Sequence, residues 1–508
     1  MNETVLPLSI GLADEAEMIR LGQALALTVK PGDCIALIGD LGAGKSTLAR
    51  ALIRAVAGDP YHEVPSPTFT IVQTYGLRFP VHHLDLYRLS DVSEMDELGI
   101  DEMLSDGVCL IEWPELAASE LPDDSTITLR LTHHGDGRMA TIDAPQRLRT
   151  RLDRVLAIGN FLKRNGRENA VRHYFSGDAA YRTYELISDD DSQYLLMDWQ
   201  PPPRGPVIQD GKTYAEIVHL ARDVSPFVAI DSFLSQNGFS VPAILAQNLD
   251  EGILLLEDIG RDGVLYADGN PIAERYLESV ACLAALHEAA LPADIALPDG
   301  TIYQVPSFDA DAMKIETSLL LDWYVPHIRG EDISGCEKQS FFAVWDQLIE
   351  KLGDAETGLL LRDFHSPNII WQSQKAGINQ VGIIDFQDAM IGPTAYDLAS
   401  IVQDARVTIP SDLQARLMGH YLDIRRKNPD FDEAAFLKAF AIMAAQRNCK
   451  LVGIWVRLMK RDGKPHYMKH MPRTFSYLRS ALEHPDLAPL NDWFRNARID
   501  IHEQRNFS

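Results

Sequence analysis

The sequence predicts a multidomain chain in which an α/β domain with a mostly parallel sheet precedes an α+β domain of two lobes. Three observations carry that prediction. The chain has 508 residues, room for about three compact units at roughly 150 residues each. Residues 1–146 alternate short apolar runs with helical stretches. From about residue 170, strand-like runs give way to a long, mainly helical remainder.

The elements follow in order. "CIALIGD", "FTIVQTY", "VHHLDLYRL" and "VCLIEWPE" read as strands that end on polar residues, "STLARALIRAVAG" as a helix, and "STITLRLTHHGDGRMATID" as a strand pair closing the first domain. "QRLRTRLDRVLAIGNFLKRNGR" then carries seven basic residues from Arg147 to Arg167, with Leu148, Leu152, Val155 and Leu156 at helical spacing. It predicts a connecting helix with a solvated basic face over 147–165. "YRTYELIS", "QYLLMDWQ" and "GILLLEDIG" are the strands of a first lobe, 166–258, and "QPPPRGP" between them is a rigid proline-rich loop. The helical remainder, 259–508, is the second lobe. No internal repeat and no low-complexity tract interrupts this order.

Hydrophobic residues make up 46% and charged residues 24%, the balance of an ordinary globular protein rather than a disordered or membrane one. No run approaches the roughly 18 apolar residues of a membrane span, and "MNETVLPLSIGLADE" lacks the basic start of a signal peptide, so a cytoplasmic protein without membrane contact is expected. Cys34, Cys109, Cys282, Cys336 and Cys449 are far apart and form no CxxC pair. They are expected to be reduced core thiols. The net charge of −26 repels nucleic-acid phosphates, which argues against tight direct binding of RNA or DNA.

Gly39, Gly44, Lys45 and Ser46 satisfy GxxxxGK[ST] between a strand-like run and a helical one, with Gly42 inside the loop and Thr47 just after it. Glycines let backbone N–H groups approach phosphate oxygens, and the helix N-terminus adds positive potential. Lys45 is placed to bridge the β- and γ-phosphates of ATP, and Ser46 to ligate Mg²⁺. Such a site needs a further carboxylate for the metal and a group to orient water. Asp85 and Glu112, each ending an apolar run, are the candidates.

"GDLGAGKST", "SPTFTIVQTY", "HHLDLYRL", "ELGIDE" and "LIEWPE" follow in the order and spacing of the TsaE family, and residues 1–146 resemble that family. The resemblance implies a P-loop NTPase-like ATPase that supports tRNA N6-threonylcarbamoyladenosine (t6A) synthesis beside its partners TsaB and TsaD, with the tRNA held mainly by those partners. It further implies that Lys45 and Ser46 hold phosphate and metal, that Asp85 is on the metal side, and that Glu112 and Trp113 lie near the nucleotide. Ser66, Pro67, Thr68 and Phe69 become a switch-like loop. In this context the basic helix after residue 146 has a second reading, as a tRNA-facing patch.

The second half carries its own constellation. Asp363 and Asn368 in "LRDFHSPNIIW" fit D-x-x-x-x-N, and Asp385 in "IIDFQD" follows another apolar run. In the protein-kinase arrangement one Asp accepts the hydroxyl proton, an Asn five residues on binds Mg²⁺, and a strand-end Asp bridges metal and phosphates. Gln387 and Asp388 are candidates for hydrogen bonds to substrate hydroxyls. Asp404 and Arg406 either do the same or brace helices. His287 and His365 read as structural groups.

"GDAAYRTYEL", "LLMDWQPP", "GILLLEDIG", "LRDFHSPNIIW" and "IIDFQDAMIGPTAYDLASIVQDAR" resemble the aminoglycoside-phosphotransferase-like kinases, and within them the AmgK-like anomeric kinases of N-acetylmuramate and N-acetylglucosamine in cell-wall recycling. The resemblance implies a bilobal protein-kinase-like domain with Asp363 as base, Asn368 and Asp385 on Mg²⁺, and Glu257 in "LLLEDIG" beside adenine. Two departures stand out. Leu361 occupies a position where the broad phosphotransferase pattern has His. "YLLMDWQ" places Met197 and Asp198 where kinases keep a phosphate-binding lysine, leaving Arg172 and Arg182 as candidate replacements. The expected protein is bifunctional, an ATPase joined to an amino-sugar kinase. The alternatives for the second half are a kinase of another alcohol (aminoglycoside, choline or homoserine-like) or a non-catalytic ligand-sensing module.

Overall fold

The structure, a computed structural model, describes residues 6–89, 98–118, 120–175, 182–189, 192–290, 294–499 and 501. The backbone divides into two compact units, Met1–Asp178 with Thr183–Leu196 and Ala179–Arg182 with Met197–Ser508.

The first unit is built on β1 (Leu8–Leu12), β2 (Cys34–Ile38), β3 (Val72–Gly76), β4 (Pro80–Asp85), β5 (Val108–Glu112), β6 (Thr126–His134) and β7 (Gly137–Asp143). They form one sheet in the order β1-β7-β6-β2-β5-β4-β3. β4, β5, β2 and β6 run parallel, while β3, β7 and β1 pair antiparallel to their neighbours. The sheet expected to be mostly parallel is thus parallel at its centre and antiparallel at both margins. Short connections explain β3 and β7, because the links of a few residues from β3 to β4 and from β6 to β7 can only reverse the chain, whereas β1 joins β7 from the far end of the unit. The central strands β2 and β5 are buried almost throughout, which is why they read as unbroken apolar runs.

β1 and the helix Glu15–Thr28 add to the elements read from sequence. The helix is fixed at its start by the Asp14 side chain, which accepts from Glu17 N at 2.9 Å. Leu25, Leu48, Leu52, Ile35 and Leu129 form the core between helices and sheet. The helix Gln146–Arg164 adds Leu148 and Leu152 to that core. Its Arg147 and Arg151 reach the buried Asp33 at 3.1 and 2.7 Å, so these two basic groups are used inside the unit.

A five-stranded sheet follows, of β8 (Val171–Phe175), β9 (Arg182–Asp189), β10 (Ser192–Trp199) and, after a hairpin of β11 (Val207–Gln209) and β12 (Lys212–Thr213), β13 (Ile244–Asn248) and β14 (Ile253–Glu257). Its order is β13-β14-β10-β9-β8. β8 and β13 are additions to the three strands expected from sequence. The helix Ser225–Gln236 comes between β12 and β13.

In the second unit, short antiparallel pairs set the site. They are β15 (Asp294–Ala296) with β16 (Ile302–Gln304), β17 (Thr357–Leu360) with the later β20 (Met390–Pro393), and β18 (Ile369–Trp371) with β19 (Val381–Ile383). The rest is helical, around the long helix Glu433–Asp462, whose Ala439, Ile442, Cys449, Val452 and Val456 are buried. Among the described residues no helix is long and apolar enough to cross a membrane. Four cysteines are buried free thiols, but Cys336 is exposed, which corrects the expectation of five core thiols. Cys336 sits in the first turn of the helix Gly335–Glu350, whose buried residues are Phe341, Trp345 and Leu348.

Candidate active sites

In the first unit the loop 39–44 leaves the carboxyl end of β2, where ligands of open α/β sheets bind. Gly39 has φ 153°, and a Cβ there would lie 2.6 Å from Leu131 O. Gly44, with φ 108°, opens the helix Lys45–Ala57; a side chain at either position is excluded by backbone conformation. Gly42 is exposed and Thr47 half-buried in the first turn. Arg138 Nε and Nη2 donate to the carbonyls of Ala43 and Gly42, each at 3.3 Å, bracing the loop.

Lys45 is buried. Its Nζ donates to Gly39 O (2.6 Å) and Asp40 O (3.1 Å) and lies 3.7 Å from the centre of the Trp113 ring. Burial lowers its pKa, against the opposing pull of Glu112, Glu115, Asp85 and Asp40. Asp85 and Glu112 are register partners at the ends of β4 and β5, so two carboxylates stand side by side next to the loop. Ser46 Oγ donates to Glu112 Oε2 at 2.9 Å. Thr68 Oγ1 donates to Asp85 Oδ2 at 2.9 Å and lies 2.7 Å from Ser66 Oγ. Phe69 is exposed beneath the Arg88 guanidinium.

Sequence reasoning missed His83. It is 1% exposed, and its Nε2 lies 3.0 Å from Oε1 of Glu112, itself 2% exposed. Strand alternation held the signal, because His83 and Asp85 share one face of β4. The result is a chain from the buried His83 and Glu112 to the half-buried Ser46, running into the phosphate loop.

In the second unit Asp363 and Asn368 lie between β17 and β18, and Asp385 follows β19. Asn368 Nδ2 donates to Asp363 O at 2.9 Å and lies 3.4 Å from Asp385 Oδ2, so the three expected residues converge. The Asp363 carboxylate is 50% exposed. Desolvation raises its pKa, but His365, Lys450, Arg362 and Arg447 pull harder the other way and hold it below the ordinary carboxylate value.

The loop is positioned from beneath. Asp397 accepts from the backbone N–H groups of Leu361 and Arg362. Asp404 accepts from Ser366 N (2.9 Å), Tyr276 OH (3.3 Å) and Arg406 N (2.8 Å). Asp404 is therefore a brace of the loop. Arg362 is buried against Glu316, which also binds Lys450 at 2.7 Å and Gln446 at 3.0 Å. His287 is buried against Tyr421 OH at 2.7 Å. His365 is buried beside Asp363 at 3.9 Å.

Arg182, at the start of β9, donates from Nη2 to Asp385 Oδ1 at 2.6 Å and from Nη1 to Gln387 Oε1 at 2.8 Å. Asp388 accepts from Ala221 N at 2.7 Å. Gln387 and Asp388 are thereby committed to protein partners. Glu257 ends β14, exposed, with its carboxylate accepting from Ala243 N at 3.2 Å. Phe386 stacks on Phe227 of the helix Ser225–Gln236, ring centres 4.7 Å apart. Residues 176–181 and Glu97 of "ELGIDE" lie outside the described residues.

Of the seven described non-glycine residues with positive φ, Trp113, Arg362 and Asp385 are at these sites, and Ile71 lies behind one of them, its carbonyl accepting from Asp85 N at 3.0 Å. Each such conformation costs about 1–3 kcal/mol and persists only where the surroundings impose it. Strain thus gathers where the sequence pointed.

Residues 12–140 match the family model of the threonylcarbamoyl adenosine biosynthesis protein TsaE, and residues 173–437 that of the phosphotransferase enzyme family. The chain is similar to the N-acetylmuramate/N-acetylglucosamine kinase of Caulobacter vibrioides, with 32% identity over 67% of this chain and 96% of the relative. The kinase of the same name from Pseudomonas aeruginosa is 30% identical over 62% of this chain and 86% of its own length. The tRNA threonylcarbamoyladenosine biosynthesis protein TsaE of Haemophilus influenzae is 36% identical over 25% of this chain and 83% of the relative.

Proposed function

Because the chain belongs to the phosphotransferase enzyme family and carries a TsaE-family domain, we propose that it joins two ATP-using activities: an ATPase that supports t6A synthesis and an anomeric kinase of N-acetylmuramate or N-acetylglucosamine. The observation that carries this is the convergence of two separate side-chain groups, Lys45–Ser46–Asp85–Glu112 beside the glycine-rich loop and Asp363–Asn368–Asp385 between short strands. The proposed boundaries are 1–146 for the ATPase, 147–165 for the basic helix, 166–258 and 259–508 for the kinase lobes. The proposed location is the cytoplasm.

In the first site Lys45 neutralises the β- and γ-phosphates and Glu112, fixed by His83, orients the attacking water. In the second, Asp363 takes the proton of the anomeric hydroxyl as that oxygen attacks the γ-phosphorus and ADP leaves. The carboxylate is already ionised for this, because the cationic groups around it lower its pKa. The donors at both sites fit Mg²⁺, which prefers hard oxygen ligands and one or two carboxylates over a protein cage. Ser46 and Asp85 would hold it in the first site, Asn368 Oδ1 and Asp385 in the second. When bound, the ion offsets charge on the phosphate oxygens. TsaB and TsaD are the proposed partners of the ATPase, and tRNA is reached only through them.

The test is incubation of the full chain with ATP and a panel of N-acetylmuramate, N-acetylglucosamine, an aminoglycoside, choline and homoserine. Sugar 1-phosphate is expected. Phosphorylation of another acceptor instead would reassign the substrate, and no product from any acceptor would refute the kinase. Adding TsaB and TsaD should accelerate ATP hydrolysis; an unchanged rate would count against the t6A role.

A further inference from the structure

We propose that Arg182 grips the nucleotide phosphates in the second site, the task protein kinases give to a strand lysine paired with a helix glutamate. The inference rests on the kinase reading of that site. The usual lysine position holds no cation, since β10 carries Met197, buried at 1% exposure, and the acidic Asp198. Asp231, on the helix between β12 and β13 where a kinase holds the lysine's acidic partner, is buried, and its Oδ1 has no hydrogen-bond partner among the described residues. The lysine is missing and the acid that would pair with it stands without one, so the lysine–glutamate pair is not formed.

Three other cations near the lobes are committed elsewhere. Arg172 uses Nε and Nη2 on Glu185 (2.6 and 2.8 Å) and Nη1 on Val155 O (2.8 Å). Lys375 binds Ser240 Oγ at 2.8 Å, and Lys450 binds Glu316. Arg182 alone of these four touches the Asp385 carboxylate. Its guanidinium lies 5.1 Å from the centre of the Trp199 ring, and a planar fork held against an aromatic wall is suited to phosphate oxygens. Gln387 fixes the second arm of the fork. The cation thus enters from β9 and needs no helix carboxylate to orient it, because the metal-side aspartate and Gln387 do so.

The test uses the full chain with Lys45→Ala, which silences the first nucleotide site, and calorimetric titration with ATP, ADP and adenosine, in magnesium and in chelator. Arg182→Ala should weaken ATP and ADP binding about 10- to 100-fold in both conditions, leave adenosine unchanged, and be largely rescued by Arg182→Lys. Unchanged ATP affinity would overturn the proposal. So would a loss confined to magnesium, which would mean that Arg182 acts only by holding Asp385. Adenosine binding reports a folded lobe, and should Arg182→Ala lose it, Arg182→Gln and Arg182→Lys supply the comparison. A chain that behaves as expected here yet phosphorylates no acceptor would refute the kinase reading and leave the phosphate contact standing. A Lys45→Ala chain that binds no ATP would refute both.

Discussion

The two proposed phosphate sites use the same kinds of group but assemble them in opposite ways. In the first unit the cation, the loop and the metal-side hydroxyl lie within residues 39–46 on one strand–turn–helix, and one sheet aligns Asp85 with Glu112. In the second Asp363, Asn368 and Asp385 lie in the turns beside short strands, and the cation at Asp385 comes from a position 203 residues earlier. A compact loop fixes its charges through local backbone geometry. A dispersed site depends on buried braces such as Asp397 and Asp404.

The comparison is broken most forcefully at Asp363. Asp363→Asn removes the proton acceptor and should cut sugar phosphorylation about 10²- to 10⁴-fold, with ATP hydrolysis in the first site unchanged, as measured by sugar 1-phosphate and free phosphate in the same preparation. Lys45→Ala is the converse experiment. It should reduce hydrolysis about 10²- to 10³-fold and spare sugar phosphorylation. Loss of both activities from either substitution would show that the sites are not independent.

A smaller effect is expected at His83. His83→Ala removes the partner that fixes Glu112 and should lower the hydrolysis rate about 10- to 100-fold, the range seen when a supporting hydrogen bond is lost behind a ligand. If Glu112 orients water rather than nucleotide, as proposed, kcat should fall with ATP affinity unchanged, and His83→Gln should recover part of the rate. A loss of affinity instead would place His83 in support of the phosphate loop.

The same contrast explains what the sequence made legible. The phosphate loop was readable because strand, glycines, lysine and helix are contiguous, so local pattern equals local structure. Asp363, Asn368 and Asp385 were readable because D-x-x-x-x-N and a strand-end Asp keep fixed spacing. Arg182 remained one of two unranked candidates, since only the pairing of Arg172 with Glu185 and the approach of Arg182 to Asp385 separate them. His83 was hidden because a histidine in an apolar strand carries no partner in one dimension. The antiparallel margins of the first sheet were hidden for a related reason, because the direction of β3 and β7 is set by their short links to β4 and β6, and that of β1 by a partner far away in sequence, not by the apolar runs.

The finest probe of the contrast is Asp231, the acid left without a lysine. Burial alone raises its pKa from 3.8 to about 7, with no charged neighbour contributing. In the unfolded chain it ionises near 3.8, whereas in the folded chain it stays protonated until about pH 7. The stability it contributes is therefore fully present below about pH 4 and is lost as the pH rises through 7. Asp231→Asn removes the ionisable group, so its gain over the parent should be small at pH 4 and largest at pH 8, with a ceiling of about 4 kcal/mol. Melting temperatures at pH 5 and pH 8 measure it, and several degrees of stabilisation at the higher pH are expected. A variant less stable than the parent at pH 8 would mean that the carboxylate has a cationic partner in solution. The lysine–glutamate pair would then have a counterpart in this lobe, and the division of labour between Arg182 and Asp385 would need another explanation.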